Sequence, residues 1–570
     1  MDEKGLRFRR AFIFILSFFA IIFFFISRIQ ILEGKRYYEL SEENRVRKVY
    51  IPAPRGRILD RNGVVMANSR PGFSVAVIPN LVEEETIKEL AQILSIDPQD
   101  IKDWIRKTRT PQIALKIKHD IEFTTLTKIE ERLKDLKGVV VSIEPLRNYP
   151  YDSLLSHVLG YVGEVTFNEL GGDGDYKYGD FIGRMGIEEF YESRLRGKDG
   201  IIYMEVDAYG NEVGPIAEKR PQVLIEGEDI RLTLDVELQE SAAVYLTRYD
   251  KAAVIALNPN TGEVLILYSK PGFDPNIFVR GLTVEEWQKI NHHPDAPLYN
   301  RAIMSGYPPG SSFKPFVALA GLEAKLVTPE KRFSPCTGSF RMGNRIFHCW
   351  SVHRSKDLID AIVNSCDIYF YQLGLLVGID GIYELGKRLG FGNVVGIDLP
   401  EEKKGLLPDT KWFDERYKRQ WSKGHIMNLA IGQGEILVTP LQLACAYTVF
   451  TNDGKTVRPE LLFGVQPELR GTKISQKSIE IVRQGLTKVV EEGTGMLARL
   501  GTMPIAGKTG TAQNPFGRDH SLFAGFSPID RPQILVAVIV ENAGHGGSVA
   551  APIAGHLIED YFNKYGSGSR

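Results

Sequence analysis

Tyr307–Lys314, with the sequence YPPGSSFK, is the stretch that decides the fold of this chain. Its first four residues cannot continue a helix, because proline lacks a backbone N–H and glycine favours turns. The apolar run from Phe313 to about Leu326 then predicts a helix. We therefore expect Ser311 at a helix start, where unpaired backbone N–H groups and the helix dipole favour developing negative charge.

Lys314 follows Ser311 by one helical turn and lies on the same predicted face. A hydroxyl is a poor nucleophile at neutral pH and needs a base beside it. A lysine can serve as that base when burial and a second cation lower its pKa. The two residues are therefore candidates for nucleophile and base, although an N-cap serine with a surface lysine gives the same local pattern.

A second motif, KTGT at residues 508–511, lies in a predicted antiparallel meander. It follows the apolar stretch Met503–Ala506, and two strand-like runs come after it, Ser521–Ser527 and Gln533–Glu541. The alternative is a plain turn that contains a lysine. The strand context favours a functional edge strand.

Each residue of this motif has a chemical role in that interpretation. Gly510 leaves room for a substrate backbone along the strand. The Thr511 N–H is expected to pair with the Ser311 N–H as an oxyanion hole. Lys508 is the candidate second cation, and it can hold a substrate carboxylate together with Thr509.

The third motif, Ser365-Cys366-Asp367, lies inside a predicted helical region, Leu358–Leu389. We expect Ser365 to relay protons between the two lysines and Asp367 to orient the substrate or Lys314. A polar patch between two helices is the alternative. The order of the three motifs along one chain supports the functional interpretation of all of them.

Length and composition describe an ordinary globular chain with several domains. Its 570 residues are enough for two or three large domains with cores that need no disulfides. The hydrophobic fraction is 43% and the net charge is −1. There is no long basic stripe, so nothing indicates nucleic-acid binding.

The N-terminus predicts a membrane anchor. Ala11–Ser27 is a run of seventeen residues without a charge, and Ile29–Leu32 extends it if Arg28 snorkels to the interface. The basic residues before it, which predict a cytoplasmic N-terminus and an exported remainder, are Lys4, Arg7, Arg9 and Arg10. A cleaved signal peptide is the alternative, but no small-x-small cleavage site follows the run.

Taken together, these motifs resemble those of serine acyl-transferases that react with penicillin. The chain resembles the class B, monofunctional penicillin-binding proteins, from the anchor to about residue 563. Further matching stretches are Arg55–Gly63 (RGRILDRNG), Gly183–Glu188, Gly432–Gly434 and the pair Thr439-Pro440. Asp367, where division-type relatives more often have asparagine, favours the elongation type, the penicillin-binding protein 2 family.

The resemblance implies a multidomain α+β fold with a single N-terminal transmembrane helix. A mixed α/β pedestal of the dimerisation type and a C-terminal transpeptidase domain, an antiparallel sheet flanked by helices, would follow. The expected boundaries are a cytoplasmic tail at 1–10, the anchor at 11–32, the pedestal at 33–225 and the transpeptidase domain at 226–565. Residues 566–570 (GSGSR) are expected to be a frayed tail or an added linker.

The resemblance also implies the reaction, a peptidoglycan D,D-transpeptidation during cell-wall elongation. Ser311 would attack the D-Ala-D-Ala carbonyl of a stem peptide, and Lys314 would take its proton. Ser365 and Lys508 would carry a proton to the departing D-Ala. An amine of a neighbouring stem would resolve the acyl-enzyme, β-lactams would acylate the same serine, and catalysis would need no cofactor.

The implied partner is a SEDS-family glycosyltransferase of the RodA kind, because the chain has no room for its own polymerase domain. The anchor helix and pedestal would dock on it, although the aromatic residues of the helix are equally consistent with ordinary lipid exposure. The implied location is the bacterial cytoplasmic membrane, crossed once, with the bulk of the chain outside the cytoplasm.

Three cysteines, Cys336, Cys349 and Cys366, fall within thirty-one residues, together with His353 and His348. In an oxidising compartment a Cys336–Cys349 disulfide is one expectation. A structural Zn²⁺ held by the three thiolates and His353 is another, with His348 as the alternative imidazole. Some elongation-type relatives resemble this arrangement. Free buried thiols are the third, and Cys445 is expected to be plain core.

Three other classes of protein share some of these features. A β-lactamase is usually soluble after export and has no pedestal. A β-lactam receptor would need several spanning segments or a cytoplasmic output domain, whereas only ten residues precede the apolar run. A non-catalytic scaffold would not need the intact nucleophile, lysines and strand motif. The sequence therefore favours the enzyme.

Overall fold

This computed structural model describes residues 3–37, 46–108, 114–166, 169, 176–177, 179–206, 212–216, 219–515 and 517–566. The chain divides into two compact units. The first comprises Met1–Pro54 and Arg196–Gly227, and the second comprises Arg55–Leu195 and Glu228–Arg570. Residues 567–570 of the expected tail lie outside the described residues.

The α-helices of the described residues are numbered in chain order. They are α1 (Glu3–Ser27), α2 (Glu84–Leu94), α3 (Pro98–Lys107), α4 (Phe123–Glu130), α5 (Ser156–Leu159), α6 (Gly186–Phe190), α7 (Glu192–Leu195), α8 (Val236–Tyr245), α9 (Asn276–Val279), α10 (Val284–Asn291), α11 (Lys314–Glu323), α12 (Leu358–Val363), α13 (Asp367–Arg388), α14 (Thr410–Arg416), α15 (Lys423–Ala430), α16 (Pro440–Tyr447), α17 (Gln476–Glu491) and α18 (Ala550–Tyr565).

The β-strands are numbered in the same way. They are β1 (Val46–Ile51), β2 (Ile58–Leu59), β3 (Val65–Val77), β4 (Leu115–Lys118), β5 (Val139–Asn148), β6 (Val162–Glu164), β7 (Phe181–Gly183), β8 (Gly200–Val206), β9 (Glu212–Pro215), β10 (Ile230–Arg231), β11 (Ala252–Leu257), β12 (Val264–Lys270), β13 (Ser339–Met342), β14 (Arg345–His348), β15 (Lys455–Val457), β16 (Leu469–Gly471), β17 (Ala506–Ala512), β18 (His520–Ser527) and β19 (Ile534–Val540).

The first unit contains the predicted anchor helix and one small sheet. Helix α1 continues as a π-turn over Arg28–Leu32. Within the described ranges, Gly5–Leu32 is the one helix that is long and apolar enough to cross a membrane, by length and composition. The small sheet has the antiparallel order β1-β8-β9.

The second unit begins with the pedestal sheet, in the order β10-β2-β3-β4, with β5 paired to β3. Strands β3 and β5 run antiparallel over ten residue pairs, from Asn68 opposite Asn148 to Val77 opposite Val139. Helices α2, α3 and α4 cover this sheet, and their apolar faces form a separate core. Pro98 opens α3 and the Asp97 side chain caps it, as the helix-start rules predict.

A buried ionic network joins two sequence stretches that resemble the family's pedestal. Glu188 is fully buried, and its carboxylate lies 2.7 Å from Nη2 of Arg55 and 2.5 Å from Nε of Arg147. Arg147 also donates to the carbonyl oxygen of Gly56, at 2.7 Å. Because a buried carboxylate requires paired charges, these contacts hold the stretches together.

The C-terminal part of the second unit is built on a five-stranded antiparallel sheet in the order β12-β11-β19-β18-β17. Helices α8 and α18 pack on one face, and the side chains of α11, α16 and α17 contribute to the larger core on the other. The predicted meander is present, as strands β17, β18 and β19. The predicted multidomain α+β fold is confirmed, whereas the exact domain boundaries stay predictions.

The sequence had suggested that the middle motif lies inside one helical region, Leu358–Leu389. The structure divides that region into two helices, and the motif lies at the break. Helix α12 ends at Val363 and α13 begins at Asp367. Between them Ser365 has a φ of +52°, a left-handed conformation that cannot continue a right-handed helix. The break turns the backbone of this motif toward the helix that carries Lys314.

Candidate active site

Ser311 lies on a short 3₁₀ turn, Gly310–Phe313, which leads directly into α11. The α-helix therefore begins at Lys314, three residues later than Ser311. Two hydrogen bonds hold the turn. In the first, Ser312 Oγ donates to the Pro309 carbonyl at 2.6 Å. The hydroxyl of buried Tyr447 donates to the Ser312 carbonyl at 2.7 Å. Ser311 itself is partly exposed.

Lys314 is fully buried and connects the first motif to the middle one. Its Nζ donates to the Ser365 carbonyl at 2.8 Å and to Ser365 Oγ at 3.2 Å. It also forms an ion pair with Oδ1 of Asp367, at 2.6 Å. Burial raises the pKa of Asp367, and the positive charge of Lys314 opposes that shift.

Lys508 is the second buried cation, on strand β17. Its Nζ lies 3.1 Å from the Thr509 carbonyl oxygen and 3.3 Å from Thr509 Oγ1. Burial lowers the pKa of Lys508 well below its usual value, and the positive charge of Lys314 lowers it further. The sequence suggested Lys508 as the second cation beside Lys314, and that role stays a prediction.

The turn Gly310–Phe313, which carries Ser311, is in backbone contact with strand β17, and two glycines make that contact possible. A Cβ on Gly310, whose φ is +54°, would lie 2.4 Å from the Thr511 carbonyl oxygen. A Cβ on Gly510 would lie 2.8 Å from the Pro309 carbonyl oxygen. Because real Cβ atoms do not approach so closely, these positions require glycine. The contact brings the turn of Ser311 to the strand that carries Thr511.

Two further segments hold β17 from its other sides, and the sequence assigned neither a role. Gly546 lies against the strand, since a Cβ there would meet the Gly510 carbonyl oxygen at 2.2 Å. Nε2 of Gln433 donates to the Thr511 carbonyl at 2.8 Å. The stretches GQG and GHGG were visible in the sequence, but only the fold reveals what their backbone and side chains contact.

The four predicted metal ligands lie together. One ligand atom from each of Cys336, Cys349, His353 and Cys366 lies within 4.8 Å of the others. His353 Nδ1 is 3.4 Å from the sulfur of Cys349 and 3.7 Å from that of Cys336. All four cysteines of the chain lie in its described part and are free thiols. His348, the alternative imidazole, is exposed at the end of β14.

The donor set fits a soft, divalent metal ion. A hydrogen bond from the Cys366 thiol lowers the pKa of Cys349, and the same contact raises the pKa of Cys366. His353 Nε2 is buried and has no partner among the described residues, whereas Nδ1 faces the sulfurs. Three sulfurs and one imidazole are a usual tetrahedral set for zinc. Cys445, outside the cluster, is buried core.

The chain matches two known protein families and is similar to several known proteins over most of its length. Residues 252–559 match the penicillin-binding protein transpeptidase domain, and residues 50–232 match the penicillin-binding protein dimerisation domain. The chain is 36% identical to the peptidoglycan D,D-transpeptidase MrdA of Acinetobacter baumannii, over 92% of this chain and 82% of the relative. It is 32% identical to MrdA of Escherichia coli K12, over 98% and 95%.

Solved structures give the same result. The penicillin-binding protein PBP2 of Helicobacter pylori, solved as a complex with MreC, matches with a TM-score of 0.82 at 27% identity, over 92% of this chain and 100% of that one. PBP2 of Pseudomonas aeruginosa, solved in complex with WCK 5153, matches with a TM-score of 0.67 at 31% identity, over 90% and 97%.

The chain belongs to the penicillin-binding proteins that combine a dimerisation domain with a transpeptidase domain. Within that family it is similar to the MrdA or PBP2 type. The predicted family is therefore confirmed. The predicted enzyme class, a serine-type D-Ala-D-Ala transpeptidase, is confirmed as well. The alternatives had been a β-lactamase, a receptor and a non-catalytic scaffold.

The close approach at Gly510 gives a testable prediction. In Gly510→Ala the new Cβ would push the Pro309 carbonyl away and separate β17 from the turn of Ser311. We expect the rate of acylation by a fluorescent penicillin to fall about 100-fold, the scale of a 1 Å misplacement. Gly471→Ala is the matched control, because nothing lies within 4 Å of a Cβ there. Equal rates for the two variants would contradict the prediction.

Proposed function

We propose that this chain crosslinks peptidoglycan stem peptides during cell-wall elongation through an acyl-enzyme on Ser311. The single observation that carries the proposal is the environment of Lys314. This fully buried lysine follows the nucleophile by one turn and is held by Ser365 and Asp367. Burial of an ammonium group costs free energy, and buried ionisable groups of this kind are concentrated at functional sites.

Acylation begins when Ser311 Oγ attacks the penultimate D-Ala carbonyl carbon. Lys314 would take the hydroxyl proton as the neutral amine, after its own proton has passed to Asp367, its ion-pair partner; Ser365 and Asp367 hold its Nζ. The new oxyanion would lie between the N–H groups of Ser311 and Thr511. The glycine contacts between turn and strand support that pairing.

The C–N bond to the terminal D-Ala then breaks, and its nitrogen must gain a proton. Ser365 Oγ, which accepts a hydrogen bond from Lys314, is in line to pass that proton. Lys508 is the other donor, and its lowered pKa makes proton exchange easier near neutral pH. Lys508 and Thr509 would also hold the terminal carboxylate, with Thr509 Oγ1 kept in place by Thr494 at 2.8 Å.

The second half of the reaction reverses these transfers. The amine of a neighbouring stem attacks the ester carbon, a new C–N bond forms, and the bond to Ser311 Oγ breaks. The amine loses a proton to the same lysines, and the serine regains one. A β-lactam, which presents an amide carbonyl and a carboxylate in a similar arrangement, would acylate the same serine.

Intact-mass spectrometry tests the identity of the nucleophile. We expect benzylpenicillin to add one penicilloyl group to the wild-type chain and none to Ser311→Ala, because the other hydroxyl beside Lys314, that of Ser365, is buried, whereas Ser311 is partly exposed. Ser339→Ala, on the exposed strand β13, is the control and should be labelled like the wild type. Labelling of Ser311→Ala at the wild-type rate would refute the proposal.

We also propose that Cys336, Cys349, His353 and Cys366 hold one structural Zn²⁺. When bound, the ion would crosslink the β13–β14 region to the start of α13. The backbone N–H of Asp367 already donates to the sulfur of Cys349 at 3.3 Å, so the cluster is connected to the middle motif. No catalytic step needs the ion.

Metal analysis distinguishes zinc from the disulfide and from free thiols. We expect close to one equivalent of zinc in the purified wild-type chain and a strongly reduced content in Cys349→Ser, because one of four ligands is lost. Cys445→Ser, which removes a buried thiol outside the cluster, should retain the metal. A metal-free wild type with two fewer alkylatable thiols would instead indicate the Cys336–Cys349 disulfide.

We propose further that α1 spans the cytoplasmic membrane once, with the N-terminus inside, and that a SEDS-family glycosyltransferase of the RodA kind is the partner. The large apolar side chains of α1 support a contact role because they are exposed in the chain alone; Phe18 and Phe23, for example, are 56% and 73% exposed. The domain boundaries at residues 10, 32, 225 and 565 belong to this proposal.

Reconstitution with a RodA-type polymerase and lipid-linked disaccharide precursor tests the partnership. We expect the full chain to increase the rate of glycan polymerisation. Ser311→Ala should increase it equally, since polymerisation does not need the crosslinking serine. A chain with residues 3–32 replaced by an unrelated membrane helix is the control and should lose much of the effect. Polymerisation independent of this chain would argue against the partnership.

A further inference from the structure

Trp350 is an exposed tryptophan that lies directly beside the middle motif. Its side chain is 62% exposed. Its indole Nε1 donates to two successive backbone carbonyls, to Asn364 at 3.2 Å and to Ser365 at 3.3 Å. The other side of the ring lies near the imidazole of His353, with ring centroids 5.0 Å apart. A large apolar ring left in solvent is therefore oriented by its one polar atom.

The carbonyl of Ser365 is the point at which this contact reaches the catalytic machinery. A backbone carbonyl has two lone pairs. In Ser365 one accepts from Lys314 Nζ, at 2.8 Å, and the indole N–H of Trp350 approaches the same oxygen from the exposed side. The two donors together fix the plane of the peptide group that follows Ser365.

The conformation of Ser365 is the one that commonly ends a helix. Ser365 has a φ of +52°, and the Cys366 N–H donates back to the Ala361 carbonyl of α12 at 3.0 Å. The left-handed conformation is unfavourable for a residue with a side chain, so it depends on the contacts around it. The Lys314 ammonium group and the Trp350 indole add two contacts, both to the carbonyl of Ser365.

We propose that Trp350 is a positioning residue for the transpeptidation site, whose indole N–H holds the Ser365 carbonyl and thereby the hydroxyl of Ser365 and the ammonium group of Lys314. The inference deepens the proposed function, on which it rests. Trp350 takes no part in proton transfer. Its effect is on the fraction of molecules in which lysine and serine are aligned with Ser311.

The sharpest test replaces one atom group. Substitution of Trp350 with 3-benzothienylalanine keeps the shape of the ring and exchanges the N–H for sulfur, whereas Trp350→Phe also shortens the ring. Stopped-flow acylation by a fluorescent penicillin separates the dissociation constant of the first complex from the acylation rate constant. The matched control is Trp287→Phe, which alters a tryptophan that is 41% exposed on α10.

Loss of one hydrogen bond should lower the acylation rate constant about 3- to 10-fold in both Trp350 variants. We expect the dissociation constant and the melting temperature to stay at their wild-type values, and Trp287→Phe to behave as wild type. An unchanged acylation rate in the benzothienylalanine variant would overturn the proposal. So would a weaker first complex with an unchanged rate constant, because the ring would then be a substrate contact instead.

A second measurement does not depend on acylation, so failure of the proposed function stays distinguishable. In NMR spectra of the ¹⁵N-tryptophan-labelled chain, the Trp350 indole N–H should exchange with solvent more slowly than that of Trp287, although its side chain is more exposed. Equal or faster exchange would overturn the hydrogen bond and with it the proposal. Slow exchange in a wild type that no penicillin acylates would keep the hydrogen bond but refute the function, and with it the positioning role.

Discussion

The structure of the site depends on the burial of one ammonium group, that of Lys314. Moving such a charge out of water is costly by several kcal/mol unless oxygen atoms replace the lost hydration. Ser365 supplies a carbonyl and a hydroxyl, and Asp367 supplies a carboxylate. All of them come from the three residues at which one helix ends and the next begins. The burial of Lys314 thus requires the break between α12 and α13.

The second constraint is the contact between two backbones. Gly310 and Gly510 allow the turn of Ser311 and strand β17 to approach closely. A carbonyl oxygen of the opposite segment lies where the Cβ of each glycine would be. Gly546 supports the other side of the same strand. The proposed oxyanion hole, made of N–H groups from two separate segments, would need this rigidity, because its donors must be in place before charge develops. The glycines are therefore part of the site although they carry no functional group.

The sequence predicted those features that depend on local pattern. The breaker YPPG placed Ser311 near a helix start, and the alternating apolar runs gave the meander that carries Lys508. Cys336, Cys349, His353 and Cys366, which the sequence predicted as one cluster, lie together, whereas their metal stays a prediction. What the sequence could not supply was conformation set by distant contacts. Ser365 is left-handed where α12 ends and the Cys366 N–H donates back to the Ala361 carbonyl, and Lys314 and Trp350 bind the carbonyl of Ser365. No propensity of Ser-Cys-Asp indicates the last two contacts.

The same limit explains why the sequence assigned no role to Gln433 or Trp350. Both donate to backbone carbonyls of other segments. Any residue has a backbone carbonyl, so the sequence of the acceptor does not indicate such a hydrogen bond. Both also bind the carbonyl of a motif residue, Thr511 and Ser365 respectively. The motif residues can only present their reactive groups if their peptide planes are fixed, and side chains outside the motifs fix them. The positions of the motif side chains thus depend on residues outside the three motifs as well, among them Gln433 and Trp350.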